Sequence, residues 1–448
     1  MTEHFDIIII GGGNAGFGVS AIANQAGKSI AFIEELEFGG TCPNRGCTPK
    51  KVLVAAAHTL HEIEQAAFHG ITVSEPKLDW EKLISRKDDM VGFIPGAMQG
   101  VAEKRGKVFY GRAKFVGPNS VEVGGTVIGG ENIVIATGSK PRPLNIPGAE
   151  LMITSDEVLS QNRLPDEAIF IGGGVIAMEF SHVYARAGVK VTILEVAPQL
   201  LPRIDSDAVA AIRAESERLG ITIKTGVEVK AVTQSGERLE VAYNHEGENF
   251  TAATNSVING AGRIANVDQL DLDQAGVTFS GVHIEVDDYL RSVSNPSIWV
   301  AGDALVQSPQ LSPLATYEGR IVGHNIVFGP EKSPDYDAVP SAVYTIPALA
   351  TVGLTQQEAE AQNLNINVTT SDMTGWFSGK SYAETVAWAK VITDKDTDQI
   401  VGAHLVGHHG EDLIHVFALA MRHEISASAL KESPMAFPTF ASDLKNII

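Results

Sequence analysis

Gly39-Gly40-Thr41-Cys42-Pro43-Asn44-Arg45-Gly46-Cys47-Thr48-Pro49-Lys50-Lys51 decides the reading of this chain. The stretch carries both cysteines of a 448-residue sequence, close together on a Gly/Pro-rich turn that leads into a helix. Thiols at this spacing can close a disulfide across one tight helical start. The free N–H groups and dipole of the helix N-terminus favour a thiolate there. Two buried, inert cysteines are the bland alternative and the commoner fate of the residue. Their adjacency, with Lys50 and Lys51 one turn on, favours a dithiol/disulfide that cycles.

Length and composition set the frame. A chain of this size is expected to hold more than one domain, since single cores stop growing at about 250–300 residues. It is 44% hydrophobic and 20% charged, with 44 glycines that fall in clusters. A net charge of −20 opposes phosphate binding, so nucleic acid is not an expected partner. Met1-Thr2-Glu3-His4-Phe5-Asp6 has no basic n-region and leads directly into a strand. No apolar run reaches about 18 residues, so no membrane span is expected. The expected location is the cytoplasm, where a lone cysteine pair is more often catalytic or metal-linked than structural. Two thiols alone do not complete a tetrahedral site and the motif has no histidine, so no metal is assigned.

Around the cysteines lie two nucleotide fingerprints. Phe5–Ile10 reads as a buried strand, followed by Gly11, Gly13 and Gly16 as G-x-G-x-x-G. A helix is predicted through Val19–Ala26, then a strand over Ser29–Ile33 that ends on Glu34. The first glycine makes the turn, the second admits pyrophosphate, and Glu34 can accept from ribose hydroxyls. The pattern returns with a strand over Ala168–Ile171 and Gly172, Gly174 and Ala177 as G-x-G-x-x-A. A strand over Val189–Leu194 then ends on Glu195. Two such units imply two dinucleotides. Glu195 suits a free 2′-hydroxyl and repels a 2′-phosphate, which favours NADH. Ala177 and the nearby Arg203 pull the other way.

Two further segments fit a flavin. Ile133–Gly138 is a strand meeting a small-residue turn at Thr137 and Gly138, and Ser297–Asp303 is a strand ending on Asp303, placed for a ribityl chain. Gly124-Gly125 and Gly129-Gly130 are predicted hairpin turns in a small β segment.

With these pieces in order, the chain resembles the flavin- and pyridine-nucleotide-dependent disulfide reductases, such as glutathione reductase, dihydrolipoyl dehydrogenase and mercuric reductase. The resemblance runs over essentially the whole length. It includes Gly262-Arg263, Leu311–Arg320, Tyr344-Thr345-Ile346-Pro347 and Val352-Gly353-Leu354-Thr355. The implied fold is α/β, with two Rossmann-like domains for FAD and NAD(P)H and a C-terminal α/β dimerisation domain containing an antiparallel sheet. Residues 1–145 and 266–332 would form the FAD domain, 146–265 the NAD(P)H domain, and 333–448 the interface of a homodimer. By the same resemblance Cys47 would face the flavin as the charge-transfer thiolate, and Cys42 would be the interchange thiol that meets a small-molecule acceptor. Lys50 would sit near the reactive flavin nitrogen with Glu179 as its carboxylate partner. Thr41, Thr137, Gly138 and Asp303 would join Gly11, Gly13, Gly16 and Glu34 around FAD. Gly172, Gly174, Ala177, Glu195 and Gly262 would hold NAD(P)H.

The pattern breaks near the C-terminus. Family members bring a histidine there from the other subunit, followed by Pro-Thr and backed by glutamate, as acid/base for the interchange thiol. The matching segment here is Ala436–Asp443, with Phe437 at the histidine position and Ser442 at the glutamate position. Phenylalanine cannot move a proton, and losing a positioned base costs about 10²–10⁴ in rate. Ala21 and Ile22 stand where glutathione reductases carry arginines, and there is no third cysteine for a thiol shuttle. Among His404, His408, His409, His415 and His423, His409 or His415 could replace the base from the partner subunit. Otherwise the acceptor is one that needs no base: a quinone, a metal ion or an electrophilic sulfur species. The leading expectation is an FAD-dependent NAD(P)H oxidoreductase whose disulfide relay serves a changed substrate. Its rivals are a diaphorase or transhydrogenase using the flavin only, and a non-catalytic redox reporter.

Overall fold

The structure, a computed structural model, describes residues 2–448. The chain forms two compact units. The first contains residues 2–50, 85–142 and 263–335, and the second contains 51–84, 143–262 and 336–448.

The first unit is built on a seven-stranded mixed sheet with a parallel core, to which Ser120–Val123 and Ala113–Gly117 add antiparallel. Its strands run in the order Lys107–Tyr110, Ile30–Glu34, Glu3–Ile10, Thr126–Ile135, with Ile298–Val300 paired to the last of these. Ile7, Ile8 and Ile9 are fully buried, because the strand is covered on both faces and an unbroken apolar run satisfies both. The helix after the first glycines spans Asn14–Gln25, starting well before the predicted Val19. Gly16 and Gly18 in its first turns argue against so early a start from propensity alone. Packing overrides that preference: a Cβ on Gly18 would lie 2.5 Å from Thr316 O of the helix Ser312–Phe328.

One hairpin turn is where the glycines put it and one is not. Gly124 and Gly125 both have positive φ and join Ser120–Val123 to Thr126–Ile135. Gly129 and Gly130 instead lie inside the strand Thr126–Ile135, where a Cβ would press within 3.0 Å of His4 and 2.9 Å of Ile8. These two glycines mark close packing, not a turn.

The second unit holds a four-stranded parallel sheet ordered Thr222–Lys224, Lys190–Leu194, Glu167–Ile171, Ser256–Asn259. It also holds a three-stranded antiparallel sheet over Val227–Thr254 and a five-stranded antiparallel sheet from the C-terminal region. Inside this unit Lys390 and Asp205, both buried, pair at 2.9 Å and tie the five-stranded sheet to the start of the helix Ser206–Arg218. No helix among the described residues is long and apolar enough to cross a membrane.

Candidate functional site

The first fingerprint is stitched to the cysteine loop. Gly11 has φ +112° and its Cβ would lie 2.2 Å from Ala136 O, so only glycine fits there. The Glu34 carboxylate accepts the N–H of Gly12 at 2.7 Å and of Leu36 at 2.8 Å. Phe17, Phe32, Phe38 and Tyr110 form an aromatic cluster, mostly edge-to-face, behind this turn. Gly39 N–H donates to Gly12 O at 2.8 Å, and a Cβ on Gly40 would lie 2.8 Å from Gly13 Cα. The glycine turn therefore fixes where the thiols begin.

Cys42 lies in the short helix Thr41–Arg45 and Cys47 opens the helix Cys47–Gln65, with Gly46 between. Both are free thiols, hydrogen-bonded to each other. The pair holds one charge easily and two only with difficulty. Cys42 falls to about 6, chiefly through the hydrogen bond from Cys47, against burial, and with help from the Ser312 hydroxyl. Cys47, which is exposed, is pushed up chiefly by that same hydrogen bond and by the charge on Cys42, although Lys50 pulls it down. In the protein alone these interactions favour the charge on Cys42 over Cys47. Lys50, three residues on, is buried at 8% exposure, where a cation beside the sulfur has little water to screen it.

The residues expected around the flavin fit a ligand. Thr137 Oγ1 is buried with no hydrogen-bond partner, on a turn where Gly138 has φ +70°. Asp303 accepts from Ser139 Oγ at 2.8 Å, and Ser139 Oγ in turn accepts from Arg263 Nε at 2.9 Å. Glu318, fully buried, accepts Gly302 N–H at 2.7 Å and fixes the turn that carries Asp303. Sequence reading missed Ser139 and Glu318 in these roles. Glu318 lies in Leu311–Arg320, and a carboxylate on a buried helix face was the available signal.

In the second unit Gly172 repeats Gly11: φ is +104° and a Cβ would lie 2.5 Å from Gly260 O. Glu195, 8% exposed, accepts the N–H of Gly173 and, at 2.6 Å, of Ala197. The helix Val175–Arg186 starts without a side-chain cap, so its first N–H groups are open to a phosphate. Ala177 is buried in that helix. A Cβ on Gly174 would meet nothing closer than Gly260 O at 3.6 Å, and one on Gly262 would stand in open space. Glu179, 5% exposed, accepts Tyr344 N–H at 2.9 Å. Of the expected site residues, Cys42, Cys47, Lys50, Thr41, Gly11, Gly13, Gly16, Glu34, Thr137, Gly138 and Asp303 share the first unit. Glu179, Gly172, Gly174, Ala177, Glu195 and Gly262 share the second.

The C-terminal segment has no histidine in place of the expected one, and its one titratable side chain is Asp443, next to Ser442. Phe437 is 82% exposed, and Ser442 is buried with its hydroxyl engaged in the cap of the helix Phe440–Asp443. His404 is a core residue, held between Thr351 Oγ1 at 2.6 Å and Leu354 O at 3.1 Å. His409 and His415 are exposed. A cluster unforeseen in the sequence gathers elsewhere in the second unit. The Glu384 side chain, 3% exposed, lies 2.8 Å from His408 Nδ1 and 3.8 Å from His61 Nε2, with the His58 ring 6.1 Å from that of His408. Its carboxyl is held at about 2, because His408 and His61 outweigh burial. These side chains border a cavity of about 300 Å³. Among the described residues no three His, Cys, Asp or Glu side chains are placed to hold a metal.

Comparison with known proteins gives this geometry a context. Residues 5–319 match the family described as pyridine nucleotide-disulphide oxidoreductase, and residues 339–448 match its dimerisation domain. A dihydrolipoyl dehydrogenase of Chlamydia muridarum is 31% identical, over 98% of this chain and 95% of that protein. A mercuric reductase of Lysinibacillus sphaericus is 30% identical, over 99% of this chain and 82% of that protein. A Cu(II) complex of the HOCl-induced flavoprotein disulfide reductase RclA from Escherichia coli superposes with a TM-score of 0.88 at 27% identity, covering 100% of this chain and 99% of that one.

Proposed function

The chain belongs to the pyridine nucleotide-disulphide oxidoreductases, and we propose that its acceptor is a thiophilic, oxidising metal ion. It is an FAD-dependent NAD(P)H oxidoreductase with a redox disulfide, and it carries the family's dimerisation domain. FAD, when bound, supplies two-electron transfer between the nicotinamide and the Cys42–Cys47 pair.

In this reading Gly11, Gly13, Gly16 and Glu34 seat the FAD pyrophosphate and ribose, and Thr41, Thr137, Gly138 and Asp303 orient the flavin half. Gly172, Gly174, Ala177 and Gly262 seat NAD(P)H, and Glu195 selects NADH. Cys47 faces the flavin beside Lys50, whose cation favours a negatively charged ring. Glu179 keeps the role the resemblance gives it. Residues 1–145 and 266–332 form the FAD domain, 146–265 the NAD(P)H domain, and 333–448 the interface of a cytoplasmic homodimer in which Phe437 walls the partner's site.

One observation carries the choice of acceptor: Phe437 occupies the position of the proton donor, while the hydrogen bond from Cys47 favours the thiolate form of Cys42. Reducing a disulfide requires a proton for the leaving thiol. Reducing a metal ion does not. Two thiols give one disulfide, two electrons and two protons; two Cu(II) ions take the electrons and solvent takes the protons. A net charge of −20 also draws cations and repels anionic disulfides. A mercuric reductase and a protein held as a Cu(II) complex stand among its relatives.

The test is NADH-dependent turnover of the flavin-loaded enzyme with Cu(II), oxidised glutathione and lipoamide, in wild type and Cys42→Ser. We expect Cu(II) to be reduced at least about 100-fold faster than either disulfide, the range a missing base costs. We expect Cys42→Ser to lose Cu(II) turnover while NADH still bleaches the flavin. Faster turnover of a disulfide than of Cu(II), or Cu(II) reduction undiminished in Cys42→Ser, overturns the proposal.

A further inference from the structure

We propose, on the reading of Glu179 as the carboxylate partner of Lys50, that His182 is a positioning residue for flavin reduction. It fixes residues 344–346, whose backbone holds the Glu179 carboxylate.

The helix Val175–Arg186, which follows the second fingerprint, buries three polar side chains, Glu179, His182 and Arg186. Their spacing is helical, so they line one face. Against that face lies the link between two strands of the five-stranded sheet, Ser341–Val343 and Ala348–Gly353. Glu179 accepts Tyr344 N–H at 2.9 Å, and His182 Nδ1 accepts Ile346 N–H at 3.2 Å. Arg186 Nη2 donates to Ile346 O at 3.2 Å. Backbone groups in a buried link have no strand partner, and each one left unpaired is costly. Here three side chains of a single helix pair them.

Tyr344 makes two contacts at once. Its N–H goes to Glu179, and its ring lies under the Lys51 ammonium, 4.1 Å from the centroid. Lys51 follows Lys50 in the helix Cys47–Gln65. One residue of the link therefore touches the helix that carries the carboxylate and the helix that carries the lysine. Two planar peptide units separate its nitrogen from that of Ile346, so a shift at Ile346 is passed on to Tyr344.

The hydrogen bond to His182 has a fixed direction. A backbone N–H only donates, so Nδ1 is unprotonated and the ring proton sits on Nε2. Nε2 donates to Ser216 Oγ at 2.8 Å, and Ser216 Oγ donates onward to Ile212 O at 2.7 Å. His182 and Ser216 are fully buried. Burial, and then the Arg186 cation, hold the imidazole at about 3. His182 is therefore neutral around pH 7; it moves no proton and acts by placement. An apolar side chain would fill the same space and leave Ile346 N–H without an acceptor.

The test has two readouts on flavin-loaded enzyme: anaerobic stopped-flow reduction by NADH, and hydrogen exchange of residues 344–346 without NADH. His182→Gln carries its amide at the level of Nε2, so it keeps Ser216 and loses Ile346. Its limiting rate should fall about fivefold with the Kd for NADH unchanged, and exchange at Ile346 should quicken about fivefold. His182→Asn puts its oxygen where Nδ1 stands and should bring both readouts within about twofold of wild type. Glu179→Gln removes the charge and should slow reduction at least about tenfold. Because His182 acts through Glu179, adding His182→Gln to Glu179→Gln should slow reduction less than about twofold further. Ser216→Ala, a milder change that removes only the acceptor of Nε2–H, should slow reduction about twofold and reads the same chain if His182→Gln fails to fold. A wild-type limiting rate in His182→Gln, or in Ser216→Ala where only that variant folds, overturns the proposal. So does a His182→Asn variant as slow as His182→Gln, or full multiplication of the two effects in the double variant. A wild-type rate in Glu179→Gln instead defeats the reading of Glu179, and the role of His182 with it.

Discussion

At the first fingerprint Glu34 holds the N–H groups of Gly12 and Leu36; at the second Glu195 holds those of Gly173 and Ala197. The carboxylate clamp is the same. What surrounds it is not. The first turn is pressed by Gly40 of the thiol loop and backed by four aromatic rings, and its helix begins on Asn14, which reaches Ser312. The second is backed by Leu200, and its helix begins on Val175, which is 46% exposed and brings no polar group. One motif has been wired to the reacting sulfurs. The other is a plain cradle, suited to a nucleotide that arrives and leaves.

The largest expected effect tests the third position of each motif. A Cβ on Gly16 would lie 2.2 Å from Gly11 O, whereas Ala177 already carries one without conflict. Gly16→Ala should purify with less than about a tenth of the wild-type flavin, because overpacking forces the turn to shift. Ala177→Gly should keep its flavin and change the KM for NADH less than about threefold. The ratio of flavin to protein absorbance, with steady-state kinetics for NADH, reads both, and equal behaviour would break the comparison.

A smaller effect separates the two acids. If Glu195 selects NADH as proposed, Glu195→Gln should lower the preference for NADH over NADPH about tenfold with flavin content unchanged. Glu34→Gln should lower flavin content and leave that preference alone. Steady-state kinetics with both coenzymes would show any crossing of these effects.

The smallest concerns stability in the second unit. The Glu384 carboxyl is held at about 2, below its ordinary 4.5, by His408 and His61 against burial. The stabilisation is complete above pH 4.5 and disappears as pH falls toward 2. Glu384→Gln should lower Tm at pH 7 by about 2–4 °C, with the gap to wild type closing in acid. A gap that widens below pH of about 4 would show that Glu384 is not the charged partner of these histidines.

The fingerprints, their acidic residues, the cysteine pair and Phe437 are all legible in the sequence, because each is a local pattern with its meaning in its spacing. The antiparallel sheet near the C-terminus is legible through the resemblance. Gly129-Gly130 misleads, because a glycine pair reads as a turn until the partner strand is known to press His4 and Ile8 against it. His58 and His61 pass unnoticed because helical spacing does not show that Glu384 and His408, far along the chain, will meet them.

By itself the sequence determined the chemistry's parts: two dinucleotide cradles, one dithiol and a lost proton donor. Their spacing is short, and the backbone that links them leaves little choice. Only the tertiary structure decided which residues from distant parts of the chain meet beside these motifs. Asn14 and Ser312 lie 298 residues apart, and they meet because glycines let two helices pack without intervening side chains. A hydrogen bond acts within about 3 Å, so its partners are set by packing and not by order along the chain.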